Sequence, residues 1–187
     1  GMDYGPENIL MTVGAASGLN DILKTILNPG DQVLTFAPFF VEYSSYVKNY
    51  DGELVVVPPD TSTFQPDLEE FEKRINHRTK AVIVNNPNNP TGVVYSEETI
   101  RRMAGVLERK SREIGHPIVL ISDEPYRELV YDGVQVPYIP KFYKDTVVVY
   151  SYSKSLSLPG ERIGYLAISK DMTDWERPPS PTGFWEA

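Results

Sequence analysis

Seven short apolar runs, most of them rich in valine and isoleucine, alternate with stretches of helical period, and this alternation constrains the fold more than any other feature of the sequence. The runs are 9–13, 32–36, 53–57, 81–85, 118–122, 146–151 and 163–168. Several are continuously apolar rather than alternating, as expected of strands covered on both faces. Strands and helices taking turns along a chain predict an α/β domain built on a mostly parallel sheet. Right-handed crossovers then place helices on both sides of it, giving a three-layer α/β/α sandwich.

The intervening helices carry their own start and stop signals. Leu19, Ile22, Leu23, Ile26 and Leu27 form one apolar stripe that Pro29-Gly30 ends. Asp67 with Glu70 predicts an acidic capping box ahead of Leu68, Phe71 and Ile75. Ser96, followed by Glu97 and Glu98, opens a helix bearing Ile100, Met103, Ala104 and Leu107, which Gly115-His116-Pro117 closes. From Met2 to about Trp175 the chain reads as one domain. Residues 176–187, with Pro178, Pro179 and Pro181, read as a tail outside it, because proline is excluded from helix interiors and inner strands.

Composition excludes several classes of function. With no cysteine there is no disulfide, thiolate metal site or cysteine nucleophile. Two histidines, His77 and His116, are too few for a histidine-rich metal centre, and both sit in helix-end or loop contexts that predict surface positions. A net charge of −8 argues against nucleic acid or an anionic membrane as the main partner, but not against a local pocket for an anion. The longest apolar runs are strand-sized, and no basic-then-apolar leader is visible, so a cytoplasmic protein is expected.

Ligands of open α/β sheets bind beyond the carboxyl ends of the strands, so the residues following each strand are the informative ones. Gly14-Ala15-Ala16 follows the first run and opens a helix; such a turn either cradles a phosphate on free backbone N–H groups or only packs tightly. Asn86 to Gly92 follows the fourth, and taken alone is a turn-rich segment. Asp123, after the fifth, is either a functional carboxylate or a helix cap. Ser151, Ser153 and Lys154 come at the end of the sixth, and a lone lysine is usually a solvated one. Arg162 either binds an anion or pairs with Glu161, and Phe39 and Phe40 suit a core as well as a ring-stacking platform. Four strands ending in small or polar residues at one rim is stronger evidence than any one of these motifs.

Taken together, Ser151-Tyr152-Ser153-Lys154-Ser155-Leu156-Ser157-Leu158-Pro159-Gly160-Glu161-Arg162-Ile163-Gly164 resembles the pyridoxal-phosphate attachment signature of class I and II aminotransferases. Asn85–Gly92, ending in Asn-Pro-Thr-Gly, and Ser122-Asp123-Glu124-Pro125-Tyr126 resemble that family's other two hallmarks, in the same order. The resemblance implies fold type I, with the seven runs as the complete sheet of its large domain. It implies pyridoxal 5′-phosphate as cofactor, with Lys154 as covalent anchor and proton carrier and Asp123 facing the pyridine nitrogen. Tyr126 and Asn89 would bond the ring oxygen and Phe40 would stack on the ring. Gly14, Ala15, Ala16, Ser151 and Arg162 would hold the phosphate.

The resemblance further implies amino acid and 2-oxo acid substrates and a homodimer. A carbon–sulfur β-lyase on the same fold is the alternative chemistry, and an inactive cofactor-binding fragment the alternative outcome. Members of that family are longer, with a segment before the position of Met2 and a smaller C-terminal domain that supplies the arginine for the substrate carboxylate. No arginine of this chain matches that role, so a truncated form is expected.

Overall fold

The computed structural model describes residues 4–173; the proline-rich stretch assigned above to a tail lies outside the described residues. Seven strands form one sheet: β1 (Ile9–Thr12), β2 (Gln32–Phe36), β3 (Glu53–Val57), β4 (Thr79–Asn85), β5 (Val119–Asp123), β6 (Thr146–Ser151) and β7 (Gly164–Ile168). Their spatial order is β1-β7-β6-β5-β4-β2-β3. All neighbours from β6 to β3 are parallel, whereas β7 runs antiparallel to both β6 and β1. This is the mostly parallel seven-stranded sheet expected from the sequence.

The helices are α1 (Gly14–Ile26), α2 (Tyr43–Lys48), α3 (Leu68–Arg74), α4 (Glu97–Ile114) and α5 (Tyr152–Ser155). Alternate residues of the central strands point to opposite faces, and each face has its own helices. Val33, Ala81, Ile83, Val119, Ile121, Val147 and Val149 pack with Leu19, Ile22, Leu23 and Ile26 of α1 and Tyr43 and Val47 of α2. Leu34, Phe36, Val82, Val84 and Leu120 pack with Leu68 and Phe71 of α3 and Ile100, Met103 and Leu107 of α4. The result is the three-layer sandwich.

Local signals behave largely as their chemistry requires. Gly115 takes the left-handed conformation (φ 81°) that ends α4, and Ser96 caps its start by accepting from the Thr99 N–H at 3.0 Å. Asp67 caps α3 by accepting from the N–H groups of Glu69 and Glu70. The reciprocal half of the expected capping box is missing, because Glu70 turns to Lys73 (2.9 Å) and Arg74 (3.2 Å) instead. Among the described residues no helix is long and apolar enough to cross a membrane.

Candidate cofactor site

The carboxyl ends of β1, β4, β5 and β6 meet at one rim, as the parallel order demands. Arg162 joins them because β7 is reversed: the residues before an antiparallel strand lie where the residues after its parallel neighbours do. A cleft of about 310 Å³ opens there, lined by Ala15, Ala16, Phe40, Asn89, Asp123, Tyr126, Ser151, Lys154 and Arg162 among others. Gly14 sits at its edge under the arginine, since a Cβ on Gly14 would lie 2.5 Å from Arg162 Nη2. The ten residues singled out in the sequence therefore converge on one place.

The floor is built around Asp123, the last residue of β5 and 5% exposed. Its Oδ2 accepts a 2.5 Å hydrogen bond from the Tyr43 hydroxyl, while its Oδ1 is buried without a partner. A buried carboxylate oxygen left unpaired is costly and rare. Burial raises the carboxyl pKa to about 6; the Tyr43 bond pulls it down and Glu124 pushes it up. Tyr43, fully buried in α2, has its phenol pushed well above the ordinary range, first by burial and then by the Asp123 charge.

One wall is a hydrogen-bonded ladder. The Asn85 Nδ2 donates to the Asp123 carbonyl at 3.0 Å, and its Oδ1 accepts from the Asn89 N–H at 2.6 Å. Asn89 Nδ2 then donates to the Tyr126 hydroxyl at 3.2 Å. The asparagine-rich run thus does more than turn. Burial, with help from Asp123, raises the Tyr126 pKa. Phe40 contributes a half-buried ring that meets Tyr43 edge-on at 5.6 Å between centroids.

The mouth carries the cations. Lys154 is exposed on the single turn α5, its Nζ 6.0 Å from the centre of the Tyr126 ring. Ser151 caps α5 by accepting from the Ser153 N–H and donates to the Ser153 hydroxyl at 2.8 Å. Arg162 is held in the left-handed region (φ 51°), a strained conformation for a side chain of its size. Its Nη1 donates to the Pro159 carbonyl at 3.2 Å and to the Ser153 hydroxyl at 3.4 Å. The first N–H groups of α1 have no side-chain cap, and Gly14 enters that helix at φ 74°. Gly164 lets β7 approach closely: a Cβ there would lie 2.9 Å from the Gly14 carbonyl carbon.

Two contributors were not singled out from the sequence: Tyr43 lies outside every motif, and Asn85 opens the asparagine-rich motif without having been given a role. Tyr43 is the residue that bonds Asp123, and Asn85 is the link between Asp123 and Asn89. The pair Phe39-Phe40 ahead of a short polar helix offered no periodic signal for Tyr43. The two histidines lie elsewhere, where His116 Nε2 meets the His77 carbonyl at 3.1 Å.

Sheet order and three-layer packing are those of fold type I aminotransferases, and solved structures share them. An amino transferase from Eubacterium rectale superposes with a TM-score of 0.91 at 50% identity, over 92% of this chain and 44% of that one. The aspartate aminotransferase of Thermus thermophilus with maleate gives 0.83 at 33% identity, over 91% and 43%. The family model for aminotransferase class I and II matches residues 1–179, and the chain belongs to that family. A probable aspartate/prephenate aminotransferase of Thermus aquaticus is 38% identical over 180 residues, 93% of this chain and 45% of that protein. The chain spans less than half the length of these relatives.

Proposed function

We propose that the cleft holds pyridoxal 5′-phosphate, with Lys154 as its covalent anchor, and that the longer protein moves an amino group between an amino acid and a 2-oxo acid. The observation that carries this reading is the unpartnered Asp123 Oδ1 at the floor of a cleft whose mouth is cationic. A protonated ring nitrogen supplies the missing hydrogen bond and offsets the buried charge together. The uncapped start of α1, the glycine beneath Arg162 and the arginine itself suit a phosphate at the other end of the same molecule.

When bound, this cofactor supplies an aldehyde that condenses with amines and a ring that takes up electron density released at a substrate carbon. The protein's share is positioning and proton control. Asp123 Oδ1 would keep a proton on the ring nitrogen, and the Tyr43 bond favours the ionised carboxylate that this requires. Asn89 and Tyr126 aim an amide and a hydroxyl at one spot in the cleft, where they would donate to the ring oxygen. Phe40 would cover the ring face. Lys154 Nζ would hold the cofactor covalently and would carry a proton to and from the substrate carbon.

A homodimer and one domain spanning residues 2–175 complete the reading. The names of the curated relatives make aspartate the first amino donor to try. The test is to load the chain with pyridoxal phosphate, add aspartate and a 2-oxo acid, and follow the amino group. Its arrival on the acceptor supports the proposal. Pyruvate released from cystathionine without an acceptor would point to the β-lyase chemistry. Cofactor uptake with neither reaction would mark a binding unit that needs the rest of a longer protein. A chain that takes up no cofactor would sink the reading.

A further inference from the structure

The ion pair between Glu124 and Arg127 lies just behind the cleft and contributes nothing to its lining. Glu124 follows Asp123 directly and is 2% exposed. Its Oε1 accepts from the Ser122 hydroxyl at 2.7 Å and its Oε2 from Arg127 Nε. The arginine's remaining nitrogens donate to the carbonyls of Val136 (3.1 Å) and Pro137 (2.9 Å), and its guanidinium lies 5.2 Å from the centre of the Tyr138 ring. One side chain thus ties the end of β5 to a loop more than eight residues further on.

Glu124 and Arg127 are also the two ends of a turn. The Arg127 N–H donates to the Glu124 carbonyl at 3.3 Å, and Pro125 fixes the first inner position. Tyr126 is the other inner residue; both line the cleft, and Tyr126 brings the hydroxyl that Asn89 bonds. The side-chain pair closes the same turn a second time, alongside the backbone bond. Burying an ion pair is poor evidence of stabilisation, because desolvation cancels most of the attraction. Holding a specific geometry is a better account of why it is there.

We infer that the Glu124–Arg127 pair is a positioning device that sets the place of the Tyr126 hydroxyl in the cleft. The pair touches neither Lys154 nor Arg162, and it acts through the turn. The inference rests on the cofactor reading above, and its test separates the two. Cofactor-loaded wild type, R127M, Y126F and the double variant are titrated, and the pH midpoint of the cofactor's absorbance change is read for each.

R127M shifts the midpoint by about half a pH unit or more, as expected for residues coupled through a shared contact. In the Y126F background the same change has little effect. A shift of equal size in both backgrounds would mean that the arginine's charge reaches the cofactor directly, and would overturn the inference. So would an unshifted R127M. R127K, which keeps the charge but loses the fork, recovers part of the shift at most. Should R127M fail to fold, E124Q/R127M leaves no lone buried charge and replaces it in the same cycle.

A cofactor-free arm uses amide exchange. The Leu129 N–H, bonded to the Tyr126 carbonyl at 2.9 Å, exchanges faster in R127M if the pair holds the turn. Unchanged exchange overturns the clamp whether or not the wild type shows a cofactor band. A missing wild-type band overturns the cofactor reading and the role in it.

Discussion

The middles and the ends of the same strands follow opposite rules. Val82 to Val84, Val119 to Ile121, Val147 and Val149 are apolar, buried and packed against helices on one face or the other. The last residues of the same strands are Asn85, Asp123 and Ser151, which are equally buried and polar. The strand middles gain stability from burial. The strand ends give some of it up, most plainly at Asp123, whose Oδ1 lacks a partner. A sheet can tolerate such a defect at its rim because the layers beneath hold it, and a polar cost of this kind marks where a ligand belongs.

That contrast can be broken or sharpened by substitution. The largest effect is expected in the strand middles. Leu120→Ala, at a site 1% exposed, should cost about 2–5 kcal/mol in denaturant unfolding, while the fraction still folded keeps its cofactor affinity. Equal damage to both would show that site and core are not separable.

Asp123→Asn should act with the opposite sign. The carboxyl pKa is raised from 3.8 to about 6, so without cofactor this group's contribution to stability is fully present below about pH 4 and is lost as pH rises through 6. The loss is up to about 3 kcal/mol at one pKa unit per 1.36 kcal/mol. Asp123→Asn removes that slope, so the variant is the more stable at pH 7 without cofactor and the weaker binder of it. A wild-type chain whose stability is flat between pH 4 and 7 would refute this view of the floor.

Tyr43→Phe is the smallest of the three. It removes the hydrogen bond that holds the Asp123 pKa down, so the same pH-dependent loss should move to higher pH. It should also cost about 1 kcal/mol from the lost bond. A pH profile superimposable on wild type would show that the 2.5 Å contact does not tune Asp123.

Much of this was legible in the chain itself, and what was not has physical reasons. Strands rich in valine and isoleucine stand out because they are covered on both faces. The start of β4 was missed because Thr79 and Lys80 are polar, although Thr79 already pairs with Gln32 and the register shifts at Lys80. Asp123 reads as following its strand but is its last paired residue, opposite Asn85. Helix α2 went unseen because six residues with only Tyr43 and Val47 buried show no periodicity. The ten residues brought together at the cleft could be singled out beforehand from the strand ends and from the family resemblance. Tyr43 and Arg127 fall outside every motif, and Asn85 and Glu124 fall inside motifs that gave no sign of their own roles, because those roles lie in side-chain contacts that only the folded chain shows.

The central claim is that the rim is a cofactor site anchored at Lys154, and borohydride reduction tests it most directly. The chain is loaded with pyridoxal phosphate, reduced, digested and weighed peptide by peptide. One phosphopyridoxyl group on the peptide containing Lys154, absent from Lys154→Ala at unchanged unfolding stability, is the expected result. Label of equal amount in both proteins, or spread over other exposed lysines such as Lys73 and Lys170, would contradict it.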